Sequence, residues 1–304
     1  MGSAFNNSLP RELVTHVTSM CGRRGVQWLN DLEQVIAELE NLWSIRVGKP
    51  FPAGEYNFVA PAFRADGELT VVKVSPPFAT LEIFGEAAFL RNRNGRGAVR
   101  LIAEDRSRFA ILLEHAHPGK NLAEKFADDE PASVEPAIEV LRSILSPLPD
   151  GSEIVTLDKW FDGLTRYHQT TFPADYAARA LRIYDELSRQ PDRTFYLHGD
   201  FHPGNVVSAT RAPFLAIDPK GIAGHVGYDI AVFLNNFHWW QETRSDIRAR
   251  LDAAVAQFAG AFGLDPIELR QWAFAQMVLS AWWTFDETPE LYDNEVAKSD
   301  IWDV

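Results

Sequence analysis

His198-Gly199-Asp200-Phe201-His202-Pro203-Gly204-Asn205 decides how this chain is read. Leu197 precedes the run and Val206-Val207 follow it, so two short apolar segments carry a polar loop between them. The loop holds two His, one Asp and one Asn, and its two Gly let the backbone turn sharply. A second segment, Phe214-Leu215-Ala216-Ile217-Asp218-Pro219-Lys220-Gly221, repeats the arrangement. Asp218 ends an apolar run, where a strand leaves the interior and a side chain can face a cleft.

Outward from this loop the chain changes character once. Upstream, residues 10–43 read as helices, with Pro10 at a start and the Gly22 to Gly25 region as a break. Phe58–Phe63 and Leu69–Val74 form a hairpin around Ala65-Asp66-Gly67-Glu68. A helix is expected over 79–92, then a second hairpin pairing Val99–Ala103 with Phe109–Leu113. His115-Ala116-His117-Pro118-Gly119 is a breaker cluster. After it helices are expected near 133–146, 155–169, 174–190, 228–242, 245–262 and 266–286, interrupted only by Tyr196 to Ile217. The reading is an α+β fold with two parts. Residues 1–115 form a small antiparallel sheet with preceding helices, and 116–304 form a mostly helical part that carries the polar loop.

Composition narrows the function classes. A hydrophobic share of 46% and a charged share of 23% over 304 residues describe a chain able to bury a core. The net charge of −13 argues against a nucleic-acid partner, which needs clustered Lys and Arg, and favours a cationic or polar small ligand. One cysteine, Cys21, excludes an intrachain disulfide. With no leader-like N-terminus and no run long enough to span a membrane, a cytoplasmic protein without a membrane partner is expected.

Phosphoryl transfer to a hydroxyl asks for the residues these two segments supply. A carboxylate must orient the acceptor and take its proton, which falls to Asp200. Hard oxygen ligands must hold Mg2+ against the phosphates of ATP, and Asn205 and Asp218 can do so. A cation must reach the remaining phosphates. Val71-Val72-Lys73-Val74 is an apolar strand with one Lys, and Glu86 on the next helix can orient it, with Glu82 one turn earlier as a competing partner. No glycine-rich GxGxxG run is present, and Phe51 to Asn57 is either a cover for phosphates or an ordinary hairpin loop. A different chemistry, a two-His-one-carboxylate metal site built from His198, Asp200 and His202 or His225, would leave Lys73, Asn205 and Asp218 unexplained.

The two segments resemble the catalytic loop and metal-binding segment of the aminoglycoside phosphotransferase family, whose fold is protein-kinase-like. Asp218-Pro219-Lys220-Gly221, Glu86-Ala87-Ala88-Phe89-Leu90 and Gly97-Ala98-Val99-Arg100-Leu101 are similar to its streptomycin and hydroxyurea phosphotransferase branch. The resemblance implies an ATP-dependent O-phosphotransferase for a small molecule such as a streptomycin-like aminoglycoside. It places adenine against the backbone of Glu114 to Ala116. It makes His198 and Asp229 structural supports of the catalytic loop. A polycationic acceptor would want carboxylates, and Glu242, Asp286 and Glu287 are the candidates, with Trp239, Trp240, Trp282 and Trp283 as core or pocket wall. One departure stands out. The branch usually has an Asp-Pro pair where this chain has His225-Val226, which bears on acceptor preference.

Overall fold

The computed structural model describes residues 9–52, 56–76, 80–150, 154–190, 193–236, 247–287 and 296–302. The chain divides into two compact units, Met1–His117 and Pro118–Val304.

The first unit opens with α1 (Arg11–Trp43), whose backbone kinks at Gly22. Its apolar residues recur at helical spacing, and Leu13, Val17, Trp28, Leu32, Ile36 and Leu39 are buried. They pack on a sheet formed by β1 (Ile45–Val47), β2 (Phe58–Arg64) and β3 (Leu69–Val74), then, beyond α2 (Thr80–Arg93), β4 (Leu101–Asp105) and β5 (Ala110–Glu114). The strand order is β1-β2-β3-β5-β4 and every pairing is antiparallel. Side chains alternate across a strand. Val72 and Val74 therefore face the α1 core, which also takes Phe58, Ala60, Ala110 and Leu112. Burying one such Leu or Phe contributes about 1.5–3 kcal/mol. Lys73 points to the opposite face, on the central strand, between Val59 of β2 and Ile111 of β5.

Both expected hairpins are present, shifted by at most two residues at an end. The short strand β1 was not expected, because three residues beside a long helix show no period.

The second unit begins with β6 (Pro118–Asn121) and α3 (Leu122–Lys125), a single turn closed by an Asn121–Glu124 capping box. Then come α4 (Val134–Ile144), α5 (Leu157–Leu164) and α6 (Ala174–Leu187). Four short strands follow: β7 (Thr194–Leu197), β8 (Val206–Ala209), β9 (Phe214–Ala216) and β10 (Ile222–His225). The unit closes with α7 (Val226–Asn235), α8 (Ile247–Phe262), α9 (Pro266–Glu287) and a 3-10 turn over Val296–Trp302. The expected 155–169 helix is α5 followed by a 3-10 turn. The region after His115 is less purely helical than expected, since β6 pairs with β8, and β10 pairs with β7. No described helix is long and apolar enough to cross a membrane.

α7 is buried along its whole length and packs on α9, with Phe233, Phe258, Phe274 and Trp272 filling the interior. Its polar end is satisfied internally. Asn235 donates to the Ala273 carbonyl and to Gln276, and accepts from the Trp302 indole N–H at 2.9 Å. This network fastens the Val296–Trp302 turn to the helical core.

Candidate active site

The polar loop runs from the end of β7 to the start of β8, each strand belonging to a different ribbon. Leu197 lies opposite Ile222 of β10, and Val206 opposite Ala216 of β9. The backbone between them is fixed by side chains. Asp229, in the first turn of α7, accepts the N–H of His198 at 2.9 Å and that of Gly199 at 2.7 Å, one on each carboxylate oxygen. It is thus both a first-turn acid and a buried brace. Burial pushes its pKa up to about 7, against the two N–H donors and with some help from Asp200.

His198 is fully buried and uses both ring nitrogens. Nε2–H donates to the Ile217 carbonyl at 2.9 Å, and Nδ1 accepts the Asp200 N–H at 3.2 Å. Burial lowers its pKa to about 3, so the ring stays neutral. His202 turns its Nδ1 to the N–H of Gly204 and caps the 3-10 turn Pro203–Asn205. Gly199 has φ 84°, and a Cβ there would sit 3.1 Å from side-chain atoms of Ile222 and Lys220. The two-His-one-carboxylate alternative finds no support in this geometry. The nitrogens it needs on His198 are engaged, and no group of three His, Cys, Asp or Glu among the described residues could hold a metal.

The loop leaves Asp200 half-exposed. Asn205 donates from Nδ2 to the Asp200 carbonyl at 2.9 Å, with Asp200 Oδ2 at 3.4 Å, which turns its own Oδ1 away from that carboxylate. The Asn205 carbonyl accepts the Ile217 N–H at 2.9 Å. Asn205 and Asp218 therefore stand at the same end of the β8–β9 ribbon. Asp218 has φ 56°, a left-handed backbone that a non-glycine residue keeps only where its neighbours hold it. Here the hold comes from Lys220, whose N–H donates to the His198 carbonyl at 2.7 Å. One amide oxygen and one carboxylate, both hard donors, suit a small divalent cation that keeps other ligands from phosphate and water.

Lys220 was quoted in the sequence reading but given no role. Its Nζ lies 3.9 Å from Asp200 Oδ2. Its place in the sequence, after a turn, gave no sign that it would reach the other loop.

In the first unit, Lys73 Nζ donates to Glu86 Oε2 at 2.7 Å, and both residues are buried. Glu86 is thus a carboxylate that pairs with Lys73. Glu114 ends β5; its N–H donates to the Arg100 carbonyl and its Oε2 accepts the Arg100 N–H, each at 2.9 Å. Ala116 follows two residues later.

Of the acceptor candidates, Asp286 is the one whose side chain is described. Glu242 and the side chain of Glu287 lie outside the described residues, as do Trp239 and Trp240. Asp286 is exposed and bonded to Arg166 at 2.8 Å. Trp282 is core, and Trp283 is partly exposed beside Trp160, edge-on at 5.3 Å.

The structure places His225 inside the second unit. The side chain is buried, its Nδ1 accepts the Gly227 N–H at 3.0 Å, and its ring stacks on Trp272 at 5.2 Å. It is the N-cap of α7, a position that Asp serves equally well. The residue that stands in place of the branch's acid is thus packed inside the helical core.

Comparisons with known proteins give the family and the fold. Residues 44–288 match the family described as aminoglycoside/hydroxyurea antibiotic resistance kinase. Hydroxyurea phosphotransferase of Kitasatospora aureofaciens is 30% identical, over 95% of this chain and 82% of that protein. Streptomycin 6-kinase of Streptomyces glaucescens is 26% identical, over 92% and 91%. Among solved structures, aminoglycoside phosphotransferase APH(3'')-Id from Streptomyces rimosus, in complex with ADP and streptomycin, aligns with a TM-score of 0.58. That alignment covers 82% of this chain and 98% of the other at 17% identity, a likeness of fold. The fold is the protein-kinase-like one expected from the loop.

Proposed function

The chain belongs to the aminoglycoside/hydroxyurea antibiotic resistance kinase family, and from that premise we propose that it phosphorylates a hydroxyl of a streptomycin-like aminoglycoside with ATP. The observation that carries the reading is the way Asp200, Asn205 and Asp218 are held together. Asp229, His198 and the backbone of Lys220 all fix the loop that bears the carboxylate.

In this scheme the Asp200 carboxylate orients the acceptor hydroxyl and takes its proton. The acceptor oxygen bonds to the γ-phosphorus as the bond from that phosphorus to the β,γ-bridging oxygen breaks, and the electron pair leaves with ADP. Asn205 and Asp218 would hold Mg2+, which supplies charge neutralisation and orientation of the phosphates. Lys73, oriented by Glu86, binds the α and β phosphates, and the backbone of Glu114 and Ala116 takes the adenine. The net charge of −13 favours a cationic acceptor.

The test incubates the full chain with Mg·ATP and either streptomycin or hydroxyurea, the second chosen because the relative at 30% identity is a hydroxyurea phosphotransferase. Phosphorylated product is read by mass spectrometry. We expect phosphorylated streptomycin, and a loss of roughly 10²–10⁴-fold in kcat for Asp200→Asn at an unchanged melting temperature. Phosphorylation of hydroxyurea alone would change the acceptor. Undiminished turnover by Asp200→Asn would remove the base.

A further inference from the structure

We propose that Lys220 is a further catalytic residue: its ammonium group contacts the γ-phosphoryl group and follows it through transfer. The inference rests on the kinase reading above and adds to it a residue that the reading did not use. Three observations carry it.

The first is position. Lys220 Nζ lies 3.9 Å from Asp200 Oδ2. An acceptor hydroxyl bonded to Asp200 puts its oxygen about 2.6–3.2 Å from the carboxylate, and the attacked phosphorus about 3–3.5 Å beyond it. A cation 3.9 Å from the base therefore stands within one side-chain adjustment of the equatorial oxygens of that phosphoryl group.

The second is that this cation is built in. The Lys220 N–H is bonded to the His198 carbonyl at 2.7 Å, and the glycine at 199 leaves room for the Lys220 Cβ. Asp218 holds a left-handed backbone, and Pro219 fixes the step to Lys220. The Lys220 side chain is 28% exposed. All of these contacts lie within residues 118–304.

The third is charge. The run His198–Asn205 contains no Lys or Arg, and His198 is held neutral. Lys73, paired with Glu86 in the first unit, is assigned to the α and β phosphates. Negative charge develops on the equatorial oxygens and the leaving oxygen, and a preorganised cation there acts on the transition state more than on the ground state. In this structure the same ammonium lies 3.9 Å from Asp200 Oδ2. When Mg·ATP binds, its partner becomes a γ-phosphoryl oxygen, and the carboxylate turns to the acceptor hydroxyl.

The test needs no knowledge of the acceptor. Full-length wild type, Lys220→Met and Lys220→Arg are titrated calorimetrically with Mg·AMP-PNP and with Mg·ADP, and their melting temperatures are compared. We expect Lys220→Met to bind AMP-PNP about tenfold more weakly, as loss of a charged hydrogen bond implies. ADP binding should stay within about twofold, since the γ-phosphoryl group is missing there. Lys220→Arg should keep most of the discrimination between the two nucleotides, which also covers the case in which the Met variant fails to fold. A merely structural lysine would alter both nucleotides alike or lower the melting temperature. Equal or absent effects on the two nucleotides, with wild type binding both, would overturn the role of Lys220 alone. Wild type binding neither nucleotide would overturn the kinase reading and this residue with it.

Discussion

At the scale of single residues, His225 shows how burial converts a titratable group into a pH-dependent stability term. Its pKa is lowered to about 4 by burial, with Arg193 adding to the effect. The unfolded chain binds a proton there below about 6.5. The unfolded state therefore holds more protons than the folded one between those values, and stability falls as pH drops through that window. The slope from this one group reaches about 1.4 kcal/mol per pH unit. Glu268, whose Oε1 lies 3.1 Å from His225 Nε2, has its pKa raised by burial and slopes the other way, but it is present with or without the histidine. His225→Asn keeps a side-chain acceptor for the Gly227 N–H and removes the titration. Urea unfolding at pH 8, 6, 5 and 4 should show the wild type losing more stability on acidification than the variant. Parallel curves would mean that the ring is not held neutral. Neither the cap nor the stacking on Trp272 could be read from the sequence, because the residue that covers His225 belongs to a helix whose facing partner only the fold reveals.

At the scale of elements, legibility followed length and the density of side chains that carry chemistry. The loop 198–205 could be read because it compresses its polar residues into eight positions flanked by apolar ones. The hairpin 58–74 could be read because two strands of six or seven residues bracket a Gly turn. β1, β6 and β10 could not, since three or four residues show no alternation and Pro118-Gly119 reads as a breaker even when it opens a strand. The break in α1 was legible, but its packing consequence was not. The chain kinks at Gly22, and a Cβ on Gly25 would sit 2.2 Å from the Val17 carbonyl oxygen. The obstacle is backbone, which cannot swing aside as a side chain can. Gly25→Ala should therefore cost about 1–3 kcal/mol by forcing the two arms of α1 apart, despite the better helix propensity of alanine. A thermal melt decides it. A variant as stable as wild type would mean that the arms separate freely and that α1 contributes little to the core under β2 and β3.

At the scale of the whole molecule, the two units divide the labour the proposal assigns, and the division can be tested through stability as well as activity. Lys73 and Glu86 form a buried pair in the first unit, and Asp229 and Ile217, which bond to the catalytic loop, belong to the second. Replacing Lys73 by Met alone strands a buried carboxylate, which costs about 3–5 kcal/mol, so lost activity in that variant could be lost folding. The double variant Lys73→Met with Glu86→Gln removes both charges and should recover most of the stability. If the pair is there for the nucleotide, the double variant will melt close to wild type and still bind Mg·AMP-PNP at least about tenfold more weakly, because the phosphates have lost their charged donor. If the pair is only a packing device, the double variant will regain stability and affinity together. Asp200→Asn is the matching control from the second unit. It should bind nucleotide as wild type does and fail only in turnover, since its carboxylate meets the acceptor rather than ATP. A nucleotide defect in Asp200→Asn equal to that of the double variant would show that the roles are not divided between the units as proposed.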